Sequence, residues 1–202
     1  MPNWCNNKLT LTHKDPAMIK RAYDALERGA FLNEFVPVPE SLNIVAGRVG
    51  DENDPEQIKL QEQTESNRKT YGYDNWYSFC TNEWGTKWDV GDEGSTQLVN
   101  ENELTTYFDS AWSPPTEAYA RLQELGFDVV AYYYEGGMCF AGVYDENGDE
   151  CYTLEGYNSE TIKDVIPEEL DEIFGISESM ADYEDSENID IELNDGIDSI
   201  NE

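Results

Sequence analysis

Residues 127–154 read FDVVAYYYEGGMCFAGVYDENGDECYTL, and this stretch decides the fold. Three runs of strand-forming residues alternate in it with two short turns. The runs are Phe127 to Tyr134, Met138 to Tyr144 and Glu150 to Leu154, and the turns are Glu135-Gly136-Gly137 and Asn147-Gly148. Because Asn-Gly between two apolar runs is a strong hairpin signal, we predict a meander of three antiparallel strands.

A strand followed by a helix is predicted at the start of the chain. Asn7 to Thr12 (NKLTLT) alternates polar and apolar residues, so Leu9 and Leu11 should face the interior. Asp15-Pro16 is a typical helix start, and Gly29 a typical helix end. The apolar positions between them follow helical spacing: Ile19, Ala22, Tyr23 and Leu26.

The remaining segments complete a chain in which helices and strands alternate. The predicted elements are an aromatic helix within 71–89 ending at Gly85, a strand from Leu104 to Ala111, a helix from Thr116 to Leu125 ending at Gly126, and a helix from Asn158 to Phe174. Residues 89–94 (DVGDEG) read as a polar loop. This order predicts an α+β protein with an antiparallel sheet covered by helices.

The length of 202 residues allows one domain with an appendage. We predict a domain over residues 1–175, in which 41–70 is a polar insertion with an exposed helix from Pro55 to Lys69. Residues 176–202 form an acidic extension. Ile189, Ile191 and Leu193 alternate with acids there, so the extension is either disordered or an added strand.

Charge is the strongest functional indication. The chain has 44 acidic and 12 basic residues, a formal net charge of -32. Nucleic acid and anionic membranes should repel such a protein, whereas a basic groove that holds a phosphate backbone should attract it. The alternative is that the acidity serves solubility.

The acids gather toward the end of the chain. Fifteen acidic residues and no basic residue occur from Asp164 to Glu202. We expect the partner-binding residues among them and name the following candidates: Asp171, Glu172, Glu178, Asp182, Glu184, Asp185, Glu187, Asp190 and Glu192.

No metal, cofactor or catalytic group is indicated. Cys5, Cys80, Cys139 and Cys151 are widely spaced and read as reduced thiols, and His13 is the single histidine. Nothing in the sequence places Cys80 and His13 together as nucleophile and base. The start of the chain is not a signal peptide and no apolar run reaches membrane-spanning length, so we expect a cytosolic protein without enzymatic activity.

A group of large rings follows the aromatic helix. Its members are Trp84, Gly85, Lys87, Trp88, Asp89 and Trp112. Exposed indole rings would form a platform for a ligand, whereas buried rings would be core, with Lys87 and Asp89 paired at its edge. The spacing of Trp84 on the aromatic helix favours the core interpretation.

Four sequence blocks carry a resemblance to a known family. They are MPNWCNNKL at 1–9, WGTKWD at 84–89, AWSPP at 111–115 and YYYEGGMCFAG at 132–142. Over residues 1 to 157 the chain resembles the YubB-like family of phages and conjugative plasmids. The resemblance implies a ferredoxin-like domain and an origin in a mobile element, and it implies no activity.

These observations lead to a binding function. Our hypothesis is an accessory protein of a phage or mobile element, whose acidic surface imitates nucleic acid and blocks a basic host protein. A restriction enzyme, a nuclease or an RNA-guided defence complex would be such a target. The alternatives are a structural or regulatory module that self-associates, and a pocket for a small molecule or sugar lined by Trp84, Trp88 and Trp112.

Overall fold

One six-stranded antiparallel sheet organises the protein in the computed structural model, which describes residues 3–186. The order of its strands is β2-β3-β1-β4-β5-β6. Their bounds are β1 Trp4–Thr12, β2 Thr96–Asn100, β3 Glu103–Ala111, β4 Asp128–Glu135, β5 Phe140–Asp145 and β6 Gly148–Thr153. The predicted α+β class and antiparallel sheet are confirmed, as is the meander, which is β4-β5-β6.

Helices connect the strands and cover both faces of the sheet. Their bounds are α1 Pro16–Glu27, α2 Phe31–Phe35, α3 Pro55–Tyr71, α4 Trp76–Glu83, α5 Thr116–Glu124, α6 Glu168–Phe174 and α7 over 176–186. Two 3-10 turns occupy Glu40–Leu42 and Thr161–Asp164. The helices predicted near 16, 55 and 116 are confirmed.

The central strand β1 defines two faces of the sheet, because successive side chains of a strand point in opposite directions. Leu9 pairs with Thr106 of β3 and with Ala131 of β4, and all three side chains are buried on what we call the inner face. One residue earlier, Lys8 pairs with Tyr107 and Tyr132 on the opposite, outer face.

The main hydrophobic core lies between the inner face and α1, α2, α4 and α5. Asp15 begins α1 by accepting a hydrogen bond from the backbone N–H of Ala17, as the sequence predicts. Four residues of α1 are then buried: Ile19, Ala22, Ala25 and Leu26. Burying one such large aliphatic side chain stabilises the fold by about 1.5–3 kcal/mol, so this core holds the molecule together.

A second apolar cluster covers only the β4-β5 part of the outer face. Ile162, Ile166, Leu170 and Ile176 pack there against Tyr132, Tyr134, Ala141 and Val143. The β1-β3 part of that face stays open, because Trp4 and Tyr107 are exposed. The outer face therefore has a covered half and an open half.

The helix predicted from Asn158 to Phe174 is wrong as one continuous element. It consists of the 3-10 turn at Thr161–Asp164 and of α6, with Pro167 directly before α6. Proline has no N–H to donate and its ring crowds the preceding turn, so it favours a break between two helical segments.

Two further segments differ from the sequence prediction. The short edge strand β2 was not predicted, because TQLVN at Thr96–Asn100 contains only two strongly apolar residues. Residues 176–186 form a helix, whereas disorder or a strand was predicted for the extension. Buried Ile176 attaches that helix to the second cluster. The alternating residues Ile189, Ile191 and Leu193 lie outside the described residues.

The polar insertion is attached to the domain by amides. The buried residues of α3 are Gln57 and Asn67. The Asn67 side chain donates to the carbonyls of Ser41 and Asp74, at 2.8 and 3.2 Å, and the Gln57 side-chain oxygen accepts from the N–H of Val49. This explains how a helix without an apolar stripe packs against its neighbours.

Candidate binding surfaces

Three exposed rings lie around Lys87, a fourth lies beside one of them, and the four rings form what we call the aromatic cluster. The Lys87 ammonium lies 4.6 Å from the ring centroid of Trp88, 5.0 Å from that of Trp112 and 5.7 Å from that of Tyr77. Trp4 lies next to Trp88, with 5.9 Å between ring centroids. The rings attract the ammonium through their negative faces, at about 0.5–1 kcal/mol per exposed contact.

Trp84 belongs to the core and not to this cluster. Its side chain is 4% exposed, and its indole N–H donates to the carbonyl of Val36 at 2.8 Å. The predicted grouping of Trp84 with Trp88 and Trp112 at one ligand surface is therefore wrong for Trp84. Trp4 takes its place, and the sequence contained a signal for it, because Trp4, Asn6 and Lys8 alternate with the inward-facing residues of β1.

Asp89 does not pair with Lys87. It accepts hydrogen bonds from the N–H groups of Leu32, Asn33 and Val90, at 2.6, 3.0 and 2.9 Å. Two of these N–H groups, those of Leu32 and Asn33, lie in the first turn of α2 and have no partner within the helix. Burial raises the pKa of the Asp89 carboxyl, although the three N–H groups act in the opposite direction. Its role is to hold the loop that follows the aromatic cluster against the main core.

The backbone around the cluster contains two left-handed residues. Gly85 has φ +85°, and a Cβ there would lie 3.2 Å from the carbonyl oxygen of Pro114, which accounts for the glycine in the WGTKWD block. Trp112 has φ 68°, which is rare for a bulky residue. The N–H of Trp112 donates to the carbonyl of Asn3 at 2.9 Å, and this bond helps to hold the strained conformation.

A groove of about 620 Å³ continues from the cluster along the open half of the outer face. Its main walls are Trp4, Trp88, Tyr107 and Phe174, with Asn6, Asp92 and Asp109 as polar groups. The volume falls in the range of small-ligand sites. Asp109 accepts a hydrogen bond from the Asn6 amide at 2.7 Å, and its second carboxylate oxygen has no partner within residues 3–186.

A second candidate surface is acidic. Residues 128–186, which we call the acidic half, contain seventeen acidic residues and one basic residue, Lys163. They form β4, β5, β6, α6 and α7, which are adjacent in space. Residues 3–127 contain 21 acidic and 11 basic residues. The negative charge is therefore concentrated at one side of the molecule.

The predicted partner-binding acids fall into three groups. Glu172, Glu178, Asp182 and Asp185 are exposed. Asp171 and Glu184 have structural contacts: Asp171 accepts from the N–H and hydroxyl of Ser177, both at 2.7 Å, and Glu184 from those of Ser159, both at 2.8 Å. Glu187, Asp190 and Glu192 lie outside the described residues.

The other chemistry-bearing groups are separated. Cys80 is buried, and burial raises the pKa of its thiol to about 12. His13 contacts the Phe127 ring and the backbone of Asp15 and Leu125. Within residues 3–186 no three His, Cys, Asp or Glu side chains are grouped so that they could hold a metal ion. The same part of the chain contains no helix of the length and apolarity that crossing a membrane requires.

Comparison with solved structures gives a structural similarity. No family model matches the chain, and no curated protein matches it. The chain is similar to a crystal structure of a protein api92 from Yersinia pseudotuberculosis, whose description cites the family model DUF1281. The TM-score is 0.44 and the identity 13%, over 78% of this chain and 99% of that chain.

Proposed function

We propose that this protein acts by binding, and that its acidic half occupies the phosphate-binding groove of a basic host protein in place of nucleic acid. The observation that carries the proposal is the concentration of seventeen acidic residues against Lys163 on adjacent elements. A basic partner would meet a predominantly negative surface there, because all of these acids except Glu135 are at least partly exposed and the ion pairs of the described residues lie elsewhere.

The class of target follows from the family resemblance. We propose that the chain is a YubB-like accessory protein of a phage or mobile element, with a ferredoxin-like domain. The order β1-α1-β2-β3-α5-β4 and the strand order β2-β3-β1-β4 support that fold. Such an element meets restriction enzymes, nucleases and RNA-guided complexes in the host cytosol, and these proteins bind nucleic acid through basic grooves.

Two variants with the same net charge test the proposal. The first neutralises four exposed acids of the acidic half: Glu172→Gln, Glu178→Gln, Asp182→Asn and Asp185→Asn. The control neutralises four exposed acids elsewhere: Asp51→Asn, Glu62→Gln, Glu65→Gln and Glu101→Gln. Asp171 and Glu184 stay unchanged in both variants, because they hold local structure.

The measurement is release of a labelled DNA duplex from purified restriction endonucleases and RNA-guided nucleases. We expect the parent protein to release the duplex from a target and the release to fall with rising salt, since screening weakens long-range attraction. The first variant should lose release, and the control should keep it. Equal behaviour of the two variants would mean that net charge alone acts, and absence of release from every nuclease at low salt would refute the proposal.

A second candidate function, self-association, is favoured by the edge of the sheet. Strand β2 is an edge strand, and Leu98 and Val99 on it are exposed. An exposed apolar edge is a template for pairing with another strand. Sedimentation of the parent and of Val99→Lys tests it: a dimer that this substitution dissociates supports self-association, and a monomeric parent at high concentration excludes it.

A further inference from the structure

The groove on the open half of the outer face combines exposed rings with carboxylates. Trp4 and Tyr107 are 48% and 53% exposed, and both line the groove. Tyr107 lies next to Asp109 on alternate positions of the same strand face, and Asn6 pairs with Asp109 across the strands. Rings of this size are costly to leave in water, so they offer a ready contact surface.

Within residues 3–186, the lining of the groove contributes carboxylates and no basic side chain, although Lys8 lies opposite Tyr107 and Lys87 lies over Trp88. Asp92 and Asp109 are exposed on its walls, and neither takes part in an ion pair within the described part of the chain. No lysine or arginine lines the groove among those residues. An anionic ligand such as a nucleotide would therefore meet repulsion there, whereas a cation would find uncompensated carboxylates.

The aromatic cluster already receives one cation. The Lys87 ammonium lies over Trp88 and Trp112, and Trp88 in turn adjoins Trp4, whose ring opens into the groove. The chain thus shows that these indoles are placed to attract positive charge. A second cation on the groove side would meet Asp109, which lies two residues from Tyr107 on β3 and diagonal to Trp4 in the register of β1 and β3.

We propose that this groove takes an arginine side chain of the basic partner, so the inference rests on the proposed function and assigns one of its contacts. A guanidinium is planar, stacks on aromatic faces and presents parallel N–H donors to a carboxylate. The second carboxylate oxygen of Asp109 and the side-chain carbonyl oxygen of Asn6 supply acceptors beside the rings. Lysine offers only a point charge, and a neutral sugar would leave both carboxylates without a counter-charge.

The test uses two synthetic nonapeptides as probes, one with three arginines and one with three lysines at the same positions. Affinity is measured by calorimetry, and contacts by the indole N–H signals in a proton-nitrogen NMR spectrum. We expect the arginine peptide to bind at least about fivefold more tightly than the lysine peptide, because only a guanidinium can stack and pair at once. The signals of Trp4 and Trp88 should shift, and that of buried Trp84 should not.

A matched pair of variants locates the contact. Asp109→Asn removes the groove carboxylate that lies beside Asn6 and Tyr107, and Asp128→Asn removes an exposed carboxylate at the far end of the same face. Both variants change the net charge equally and leave the core intact, which circular dichroism verifies. Asp109→Asn should erase the preference for arginine, and Asp128→Asn should keep it.

The outcomes separate this inference from the proposed function. If the arginine peptide binds and the two variants behave alike, the groove is not the arginine site, although binding by the acidic half still holds. If neither peptide binds at low salt, the inference fails, whereas the proposed function is decided by the release of DNA from the nucleases. Shifts of Trp4 and Trp88 with a neutral oligosaccharide, and none with the arginine peptide, would overturn the inference in favour of a sugar site.

Discussion

The carboxylates on the two sides of the sheet, residues 3–127 and the acidic half, have different kinds of partner. In residues 3–127, acidic side chains pair with cations: Glu34 with Arg21 and Arg28, and Asp74 with Arg68. All the ion pairs of the described residues fall between Lys20 and Glu124. In the acidic half, the carboxylates that have partners accept from N–H and hydroxyl groups, and the rest face solvent.

The unpaired carboxylates of the acidic half repel one another, and this repulsion affects its local stability. The acidic half has a small apolar cluster under α6 and α7, whereas residues 3–127 supply most of the main core. Like charges weaken a compact structure. We therefore expect α6 and α7 to open more readily than α1, since local stability follows local burial.

The largest expected effect comes from removing one buried side chain from each core. Leu9→Ala should lower the free energy of unfolding of the whole domain by about 2–5 kcal/mol, because Leu9 lies fully buried at the centre of the sheet. Ile162→Ala should instead raise hydrogen exchange in 161–186 and leave the amides of β1 protected. Denaturant unfolding and residue-resolved exchange measure the two effects.

Exposed Leu98 supplies the control for this comparison. It lies on the edge strand β2 and is 45% exposed, so Leu98→Ala should change stability by less than about 0.5 kcal/mol. Loss of protection in β1 on Ile162→Ala would show that the two cores unfold as one unit, and the distinction between the two sides would then be wrong.

The sequence predicts the elements that are specified by a few neighbouring residues, such as a helix cap, a turn or an alternating strand. Asp15-Pro16 fixes the start of α1, Asn147-Gly148 fixes the last hairpin, and alternation in β3 fixes which residues are buried. Strand β2 was missed because an edge strand has little apolar alternation to detect. Pro167 was present in the sequence, and giving it more weight than the apolar spacing around it would have predicted the break.

The site depends on contacts that no local pattern contains. Trp4 and Trp88 are distant in sequence, and they meet because the start of β1 lies beside the loop after α4. The interpretation of Trp84 as core was correct, since helical spacing carries that information. The pairing of Lys87 with rings rather than with Asp89 depends on tertiary structure.

The pH dependence of stability provides a smaller difference between residues 3–127 and the acidic half. The Arg21 side chain, aided by Arg28, lowers the pKa of Glu34 below its ordinary value of 4.5. A lowered folded pKa means that the stabilisation is complete above the unfolded pKa and disappears as the pH falls through the folded one. Glu34→Gln should therefore lower stability at pH 7 by up to about 1 kcal/mol, and the difference should vanish in acid.

Glu155→Gln is the counterpart in the acidic half. Glu155 is exposed and takes part in none of the ion pairs between residues 3 and 186. Thermal unfolding at a series of pH values should show no loss of stability at pH 7 for this variant. A loss equal to that of Glu34→Gln would contradict the view that cations stabilise carboxylates only in residues 3–127.

Added salt should slow hydrogen exchange in the helices of the acidic half and should not slow it in α1. Raising the salt concentration from 0.1 to 1 M shortens the Debye length from about 10 to about 3 Å. Repulsion among the acids of α6 and α7 then weakens, so their amides should exchange about two- to threefold more slowly, a change of roughly 0.5 kcal/mol. In α1, where Lys20 pairs with Asp24, exchange should stay unchanged or become slightly faster. Slower exchange of both helices by one factor would indicate a general salt effect.

Thiol labelling compares how accessible the cysteines are on the two sides of the sheet, without any substitution. Cys5 and Cys80 lie within residues 3–127 and are buried, which raises the pKa of each thiol to about 12 and leaves almost no thiolate at neutral pH. In the acidic half Cys151 is exposed and Cys139 is half-buried. At pH 8 a maleimide should modify Cys151 first and Cys139 next, and it should reach Cys5 and Cys80 only after denaturant is added. Peptide mass spectrometry measures the order in which the four cysteines are modified. Modification of Cys80 as fast as that of Cys151 would show that the main core opens as easily as the acidic half.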